Sequence, residues 1–141
     1  MLTWTTYGTW LQGDKRKYVK DGKVFAANDK LLRANVQSLK GEPVRLNNKQ
    51  KAIVKLCILD EAKRNGQEIK AIAVYSNHVH IVCGNTDEDA AAVVRRYKAM
   101  TTMGLRRAGF QGKMWTRGYD KRFCFDEKEL QARIKYVNGH K

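Results

Sequence analysis

Residues 69–84, IKAIAVYSNHVHIVCG, constrain the fold of this chain more than any other stretch. They are apolar, rich in β-branched side chains, and broken in the middle by the turn-forming pair Ser76-Asn77. The pattern predicts two short strands back to back, 69–75 and 78–83. Helical patterns lie on both sides. Upstream, from about Lys49, the residues Ala52, Ile53, Leu56 and Leu59 recur on one face, and Asn65-Gly66 supplies a stop. Downstream, Thr86 followed by Asp87, Glu88 and Asp89 reads as a helix N-cap with acids in the first turn. That helix should reach Ala108-Gly109 and bury Val93, Tyr97, Met100 and Gly104.

The flanks complete the pattern. Residues 2–10, LTWTTYGTW, read as a strand, and so does the segment 113–125, KMWTRGYDKRFCF. A last helix should begin near Asp126 with Leu130, Ile134 and Val137 turned inward. Strand, helix, two strands, helix, strand, helix is the order of an α+β fold, an antiparallel sheet with helices packed on one face. Residues 11–47 read as an insert punctuated by Gly13, Gly22 and Gly41, holding a short hairpin and a helical turn around Leu31 and Val36. At 141 residues the chain is expected to form one domain over 1–141.

Charge narrows the class of partner. Lys and Arg number 28 against 14 Asp and Glu, a net charge of +14, which favours a polyanion, most often nucleic acid. Hydrophobic residues make up 43%, too many for a disordered basic tail. Cys57, Cys83 and Cys124 are odd in number and lack CxxC spacing, the pattern of a reduced intracellular protein rather than a disulfide scaffold. No apolar run approaches the roughly 20 residues that span a bilayer. The opening MLTWTTYGTW carries neither a basic leader nor an apolar core of the secretory kind. The expectation is a cytoplasmic protein with no membrane partner.

Between Arg95 and Arg122 lie nine cations (Arg95, Arg96, Lys98, Arg106, Arg107, Lys113, Arg117, Lys121, Arg122) against Asp120 alone. Tyr97, Phe110, Trp115, Tyr119 and Phe123 are interleaved with them. Cations for phosphates and rings for stacked bases are what a single-strand binder requires, and Trp115 and Tyr119 are the candidate stacking residues. A solvated helix face plus core aromatics is the plainer account and covers part of the list. A second cluster, Lys15, Arg16, Lys17, Lys20 and Lys23, reads as a solvated loop that could also grip a hairpin stem.

His78-Val79-His80 is the sharpest chemical feature. On a strand the two imidazoles project from one face, their Cα atoms about 7 Å apart, while Val79 and Ile81 turn toward the helices. Two convergent imidazoles are two metal ligands; a pair of solvent-facing histidines is the plain alternative. Cys83 has the opposite parity, which argues against a zinc site of His78, His80 and Cys83. His140 follows Tyr136 by four residues, one helical turn on the same face. A helix crossing the sheet could deliver both, although chain ends usually fray. A metal beside a phenol in a basic groove suggests phosphoryl transfer. Tyr136 would be the nucleophile, making a phosphotyrosine and releasing a 3′-hydroxyl. Tyr119 is the runner-up nucleophile; Tyr7, Tyr75 and Tyr97 read as sheet or core residues.

YSNHVHIV together with KYVNGH resembles the HUH single-strand endonucleases, in which two histidines flank one hydrophobic residue. More closely, the chain resembles the one-tyrosine transposases of single-strand insertion sequences and their REP-associated relatives. TWTTYGTWLQGD, the histidine strand, WTRGYD and the terminal helix share in the likeness. The resemblance implies a ferredoxin-like (RRM-like) sheet of the HUH type. It also implies nicking and rejoining of single-stranded DNA near an imperfect hairpin through a 5′-phosphotyrosine, in a prokaryotic, nucleoid-associated setting. A divalent metal, magnesium or manganese, goes with that chemistry. His78 and His80 match the metal ligands and Tyr136 the nucleophile. The fourth position after that tyrosine, commonly Gln or Asn, is His140, which should shift preference toward manganese or other imidazole-loving metals and away from magnesium. Of the Met-Pro-Asn found in many relatives before the first histidine, only Asn77 is retained. Relatives include monomers and homodimers that exchange the tyrosine helix. A non-catalytic nucleic-acid-binding module and an inactive domesticated transposase are the competing readings.

Overall fold

The computed structural model describes residues 1–9, 18–20, 23–25, 43–84, 86 and 88–139. The elements are β1 (Leu2–Thr5), β2 (Tyr18–Lys20), β3 (Lys23–Phe25), α1 (Asn48–Arg64), β4 (Ile69–Val74), β5 (His78–Cys83), α2 (Ala90–Arg107), β6 (Asp120–Lys121) and α3 (Glu127–Gly139). The main sheet has the order β4-β5-β1-β6 with every neighbouring pair antiparallel. With α1 and α2 as the connections, this is the β-α-β-β-α-β plan of ferredoxin-like folds. β2 and β3 form a separate two-stranded antiparallel pair, the hairpin expected in the 11–47 insert. The helical turn expected around Leu31 and Val36 lies outside the described residues.

Strand alternation sorts the side chains onto two faces. Leu2, Trp4, Val79 and Ile81 pack with Val54, Ile58 and Ala62 of α1 and Val93, Val94, Tyr97 and Leu105 of α2. A register irregularity between Ile69 and Ala71 keeps Ile69, Ile72 and Val74 on that same face. Trp4 is its centre, stacked on Tyr97 with centroids 6.5 Å apart and edge-on to Trp115 at 6.1 Å. Ala71, Ala73 and Val82 point the other way and meet Leu130, Ile134 and Val137 of α3. The α+β class and the antiparallel sheet are as expected, and α1 and α2 share one face; α3 lies on the other. That placement matters, because His78 and His80 have the parity of Val82.

Local chemistry sets the helix ends. Asn47 and Gln50 close a reciprocal capping box on α1. The cap of α2 is Asp89, whose carboxylate accepts from Ala92 N–H at 2.8 Å, and not Thr86. The Thr86 hydroxyl instead accepts from Glu88 N–H at 3.3 Å, forming a turn one step earlier, while the Glu88 carboxylate is taken by Arg96. Asp126 caps α3 through Glu129 N–H at 2.7 Å, with Glu127 and Glu129 in its first turn.

Two strand expectations are shortened. β1 ends at Thr5 because Gly8, at φ 78, turns the chain after Thr6. Within 113–125 only Asp120–Lys121 and a bridge from Trp115 to Thr6 join the sheet. The reason is a competing bond: Lys98 Nζ donates to the carbonyls of Thr116 (2.9 Å) and Gly118 (2.6 Å), holding this stretch as a loop on α2.

The α1–α2 contact depends on Gly104. A Cβ there would lie 2.5 Å from Cys57 Sγ and 3.4 Å from Ile53 Cγ2. Gly104→Val is therefore expected to lower unfolding free energy by about 2–3 kcal/mol in a denaturant titration. A neutral result would mean that the helices separate at little cost.

Candidate active site

The site is built on the turn between β4 and β5. Tyr75 N–H donates to the His78 carbonyl at 2.8 Å, closing a loop of Ser76 and Asn77. The buried Thr6 fastens this loop, its N–H donating to the Asn77 carbonyl at 2.9 Å. The Thr6 hydroxyl donates to the Val44 carbonyl at 2.6 Å and lies 2.8 Å from the Thr9 hydroxyl. Leu46 N–H holds the Ser76 carbonyl at 2.7 Å. The threonine-rich opening of the chain thus ends as a clamp on the turn that presents the histidines.

His78 and His80 share one face, their ring centroids 4.7 Å apart and the rings at 77°. Each Nδ1 has a neighbour that sets the ring. Asn77 Oδ1 lies 2.7 Å from His78 Nδ1, and because an amide oxygen only accepts, that nitrogen carries the proton. Thr3 Oγ1, directly across the β1–β5 ladder, lies 2.7 Å from His80 Nδ1. His80 is buried, at 8% exposure. Tyr136 stands over the pair from α3, edge-on to His80 at 5.8 Å and 68°, while keeping 47% of its surface in solvent. Next to it Val137, at 1% exposure, anchors that end of the helix against Val82 and Ala71. His140, the expected partner one turn beyond, lies outside the described residues. Among the described residues no group of three or more His, Cys, Asp or Glu could hold a metal ion.

Sequence reasoning placed Tyr75 with the sheet and core; the structure places it at the histidines. Its ring stacks on His78 at 4.4 Å and 22° and meets His80 edge-on at 6.0 Å. Burial, then the neighbouring Tyr136, pushes its phenol above the ordinary value of 10.0. The signal was available. A two-residue turn at Ser76-Asn77 makes Tyr75 and His78 cross-strand partners, and partners share a face. Cys83 lies on the opposite face among the core residues, its thiol pushed up to about 11 by burial, so it joins no site with the histidines.

The nucleic-acid candidates divide. Arg95, Arg106, Arg107, Lys113, Arg117, Lys121 and Arg122 are exposed. The first three belong to α2, behind the sheet as viewed from the histidines. Arg96 is engaged by Glu88 at 2.5 Å, with Glu61 at 3.8 Å, and Lys98 by two carbonyls. Burial, with Lys113 nearby, lowers the Lys98 ammonium to about 8. Trp115 is corrected from stacking residue to core residue: it is 6% exposed and its Nε1–H donates to the Thr101 hydroxyl at 3.0 Å. Tyr119 is half-buried against the same core. The cations that remain beside the histidine strand are those of the 113–122 stretch, because β6 pairs with β1 and β1 with β5. Asp120 aligns with Thr3 and His80 across the ladder and is paired with Arg122 Nε at 3.2 Å.

No helix among the described residues is long and apolar enough to cross a membrane. The family model described as "Transposase IS200 like" matches residues 35–140, which covers the histidine strand and the tyrosine helix together. Comparison with curated proteins finds no match.

Proposed function

The chain belongs to the IS200-like transposase family, and we propose that it cuts and rejoins single-stranded DNA beside an imperfect hairpin, with Tyr136 as nucleophile and His78 and His80 as ligands of a divalent metal. One observation carries the reading: a solvent-accessible phenol stands 5.8 Å, ring to ring, from a buried histidine whose partner is 4.7 Å further on. A packed helix and a clamped strand from distant parts of the chain converge there.

The donor set fits a metal. Each Nδ1 is held by an oxygen neighbour, the arrangement that orients metal-bound imidazoles, so Nε2 is the nitrogen offered to the ion. His140 is the proposed third ligand. When bound, Mn2+ or Mg2+ would act as a Lewis acid at the scissile phosphate, and an all-imidazole set favours Mn2+ over Mg2+. The protein's own part is positional. The Tyr136 oxygen attacks phosphorus, the bond to the 3′-oxygen breaks, and the 5′-phosphate stays on the phenol. The phenolic proton is lost to solvent and the departing oxygen takes one up, so the step is proton-neutral. Because one ester replaces another, any 3′-hydroxyl can reverse it and join strands.

Incubation with end-labelled single strands from the gene's own flanks tests the reading. A covalent species on a denaturing gel that requires metal is expected from single strands and not from duplex. Salt-sensitive binding without that species would instead support a binding module or an inactive descendant. Thr3→Val should leave the fold intact but weaken Mn2+ binding about 10- to 100-fold, read as a smaller metal-induced rise in melting temperature. An unchanged rise would remove Thr3 from the metal's support.

A further inference from the structure

The aromatic residues that look interleaved with the basic segment in sequence are mostly consumed by the core: Tyr97 and Trp115 are buried, while Phe110 and Tyr119 pack against them. The exposed rings lie further on. Phe123 is 65% and Phe125 85% exposed, in the segment that links β6 to α3. Their centroids are 6.2 Å apart, tilted by 43°, and Lys121 Nζ lies 5.5 Å from the centre of the Phe123 ring. Two neighbouring phenylalanines held in water make a contiguous apolar patch, the kind of surface that marks a contact with a partner.

The backbone that carries them is fixed at both ends. Arg122 N–H donates to the Met1 carbonyl at 2.8 Å, and the chain's amino terminus donates to the Arg122 carbonyl at 2.5 Å. Phe125 N–H donates to Glu129 Oε2 at 2.8 Å, within the cap of α3. The rings therefore project from a braced segment, and ordering them on binding costs less than ordering a loose loop would. The charge beside them is mostly positive: residues 113–125 hold Lys113, Arg117, Lys121 and Arg122 against Asp120. Of the acids that follow, Asp126 and Glu129 are occupied by the helix cap, and Glu127 accepts from the Gln131 amide at 2.8 Å.

We propose that Phe123 and Phe125 form a stacking platform for the bases of single-stranded DNA, with Lys121 and Arg122 beside its phosphates. This rests on the single-strand reading above and adds where the strand runs. α3 leads from the platform to Tyr136, nine residues at 1.5 Å each from Glu127, about 14 Å or roughly four stacked nucleotides. A strand gripped there would enter the site along the tyrosine helix.

The test is equilibrium binding of fluorescein-labelled oligonucleotides, single-stranded and duplex, to the full chain and to Phe123→Ala, Phe125→Ala and the double variant. Since both rings are exposed, melting temperatures should be unchanged. Single-strand affinity should fall about tenfold for each ring, with duplex affinity unaltered. Phe→Trp at either position should keep or raise the affinity. If the full chain prefers single strands and the double variant binds them equally well, the platform is overturned while the function reading stands. No preference for single strands by the full chain would overturn both. A shift in sedimentation of the double variant with unchanged affinity would make the surface a contact between copies of the chain, which overturns the proposal.

Discussion

Tyr136→Phe is expected to abolish covalent attachment to DNA, at least about a thousandfold below the unaltered chain, while binding to single strands stays within about twofold. The hydroxyl oxygen is the atom that would bond to phosphorus, and no other group can inherit that bond without a shift of position. The ring itself is retained, so its edge-on contact with His80 and the Val137 anchor survive. With 47% of Tyr136 in solvent, the Phe variant is expected to melt within a few degrees of the unaltered chain. Tyr75 makes this a demanding test, because a second phenol lies against the same two rings. Residual adduct in the Phe variant would point there, and Tyr75→Phe in the same background would remove it.

Replacing both histidines, His78→Ala with His80→Gln, is expected to eliminate metal-stimulated cleavage. A Lewis acid at a phosphate supplies several kcal/mol to the transition state, and at about 1.4 kcal/mol per factor of ten a loss near a thousandfold follows. Gln at 80 offers the Thr3 hydroxyl a polar partner, which matters because His80 is buried. Binding of single strands should persist, since the cations of the 113–122 stretch are untouched. The Mn2+-induced rise in melting temperature should vanish along with cleavage. Cleavage that continued in the double variant would place the metal elsewhere.

The sequence pattern carried much of this arrangement. Alternation in 78–83 put the histidines on one face and Val79 and Ile81 on the other, as found; the i, i+4 pairing of Tyr136 with His140 reaches beyond the described residues. What it did not resolve was which layer each helix joins. Leu130, Ile134 and Val137 mark an apolar face on α3, but apolarity does not say which side of a sheet receives it; the small residues Ala71 and Ala73, which leave room there, are the detail that decides. The shortened strand at 113–125 was hidden for a similar reason: Lys98, fifteen residues upstream of Lys113, withdraws two carbonyls from the ladder. The basic, aromatic composition pointed to nucleic acid, yet composition cannot separate Trp115, bonded inside the core, from Phe125 in solvent. His140 and the turn around Leu31 lie outside the described residues.

The most direct measurement maps the adduct. After reaction with a single-stranded oligonucleotide and Mn2+, nuclease and trypsin digestion followed by mass spectrometry should find the nucleotide-bearing phosphate on the peptide of residues 136–141, YVNGHK, whose only tyrosine is Tyr136. An adduct instead on the peptide of residues 71–95, which holds Tyr75, or on 118–121, which holds Tyr119, would contradict the assignment of the nucleophile.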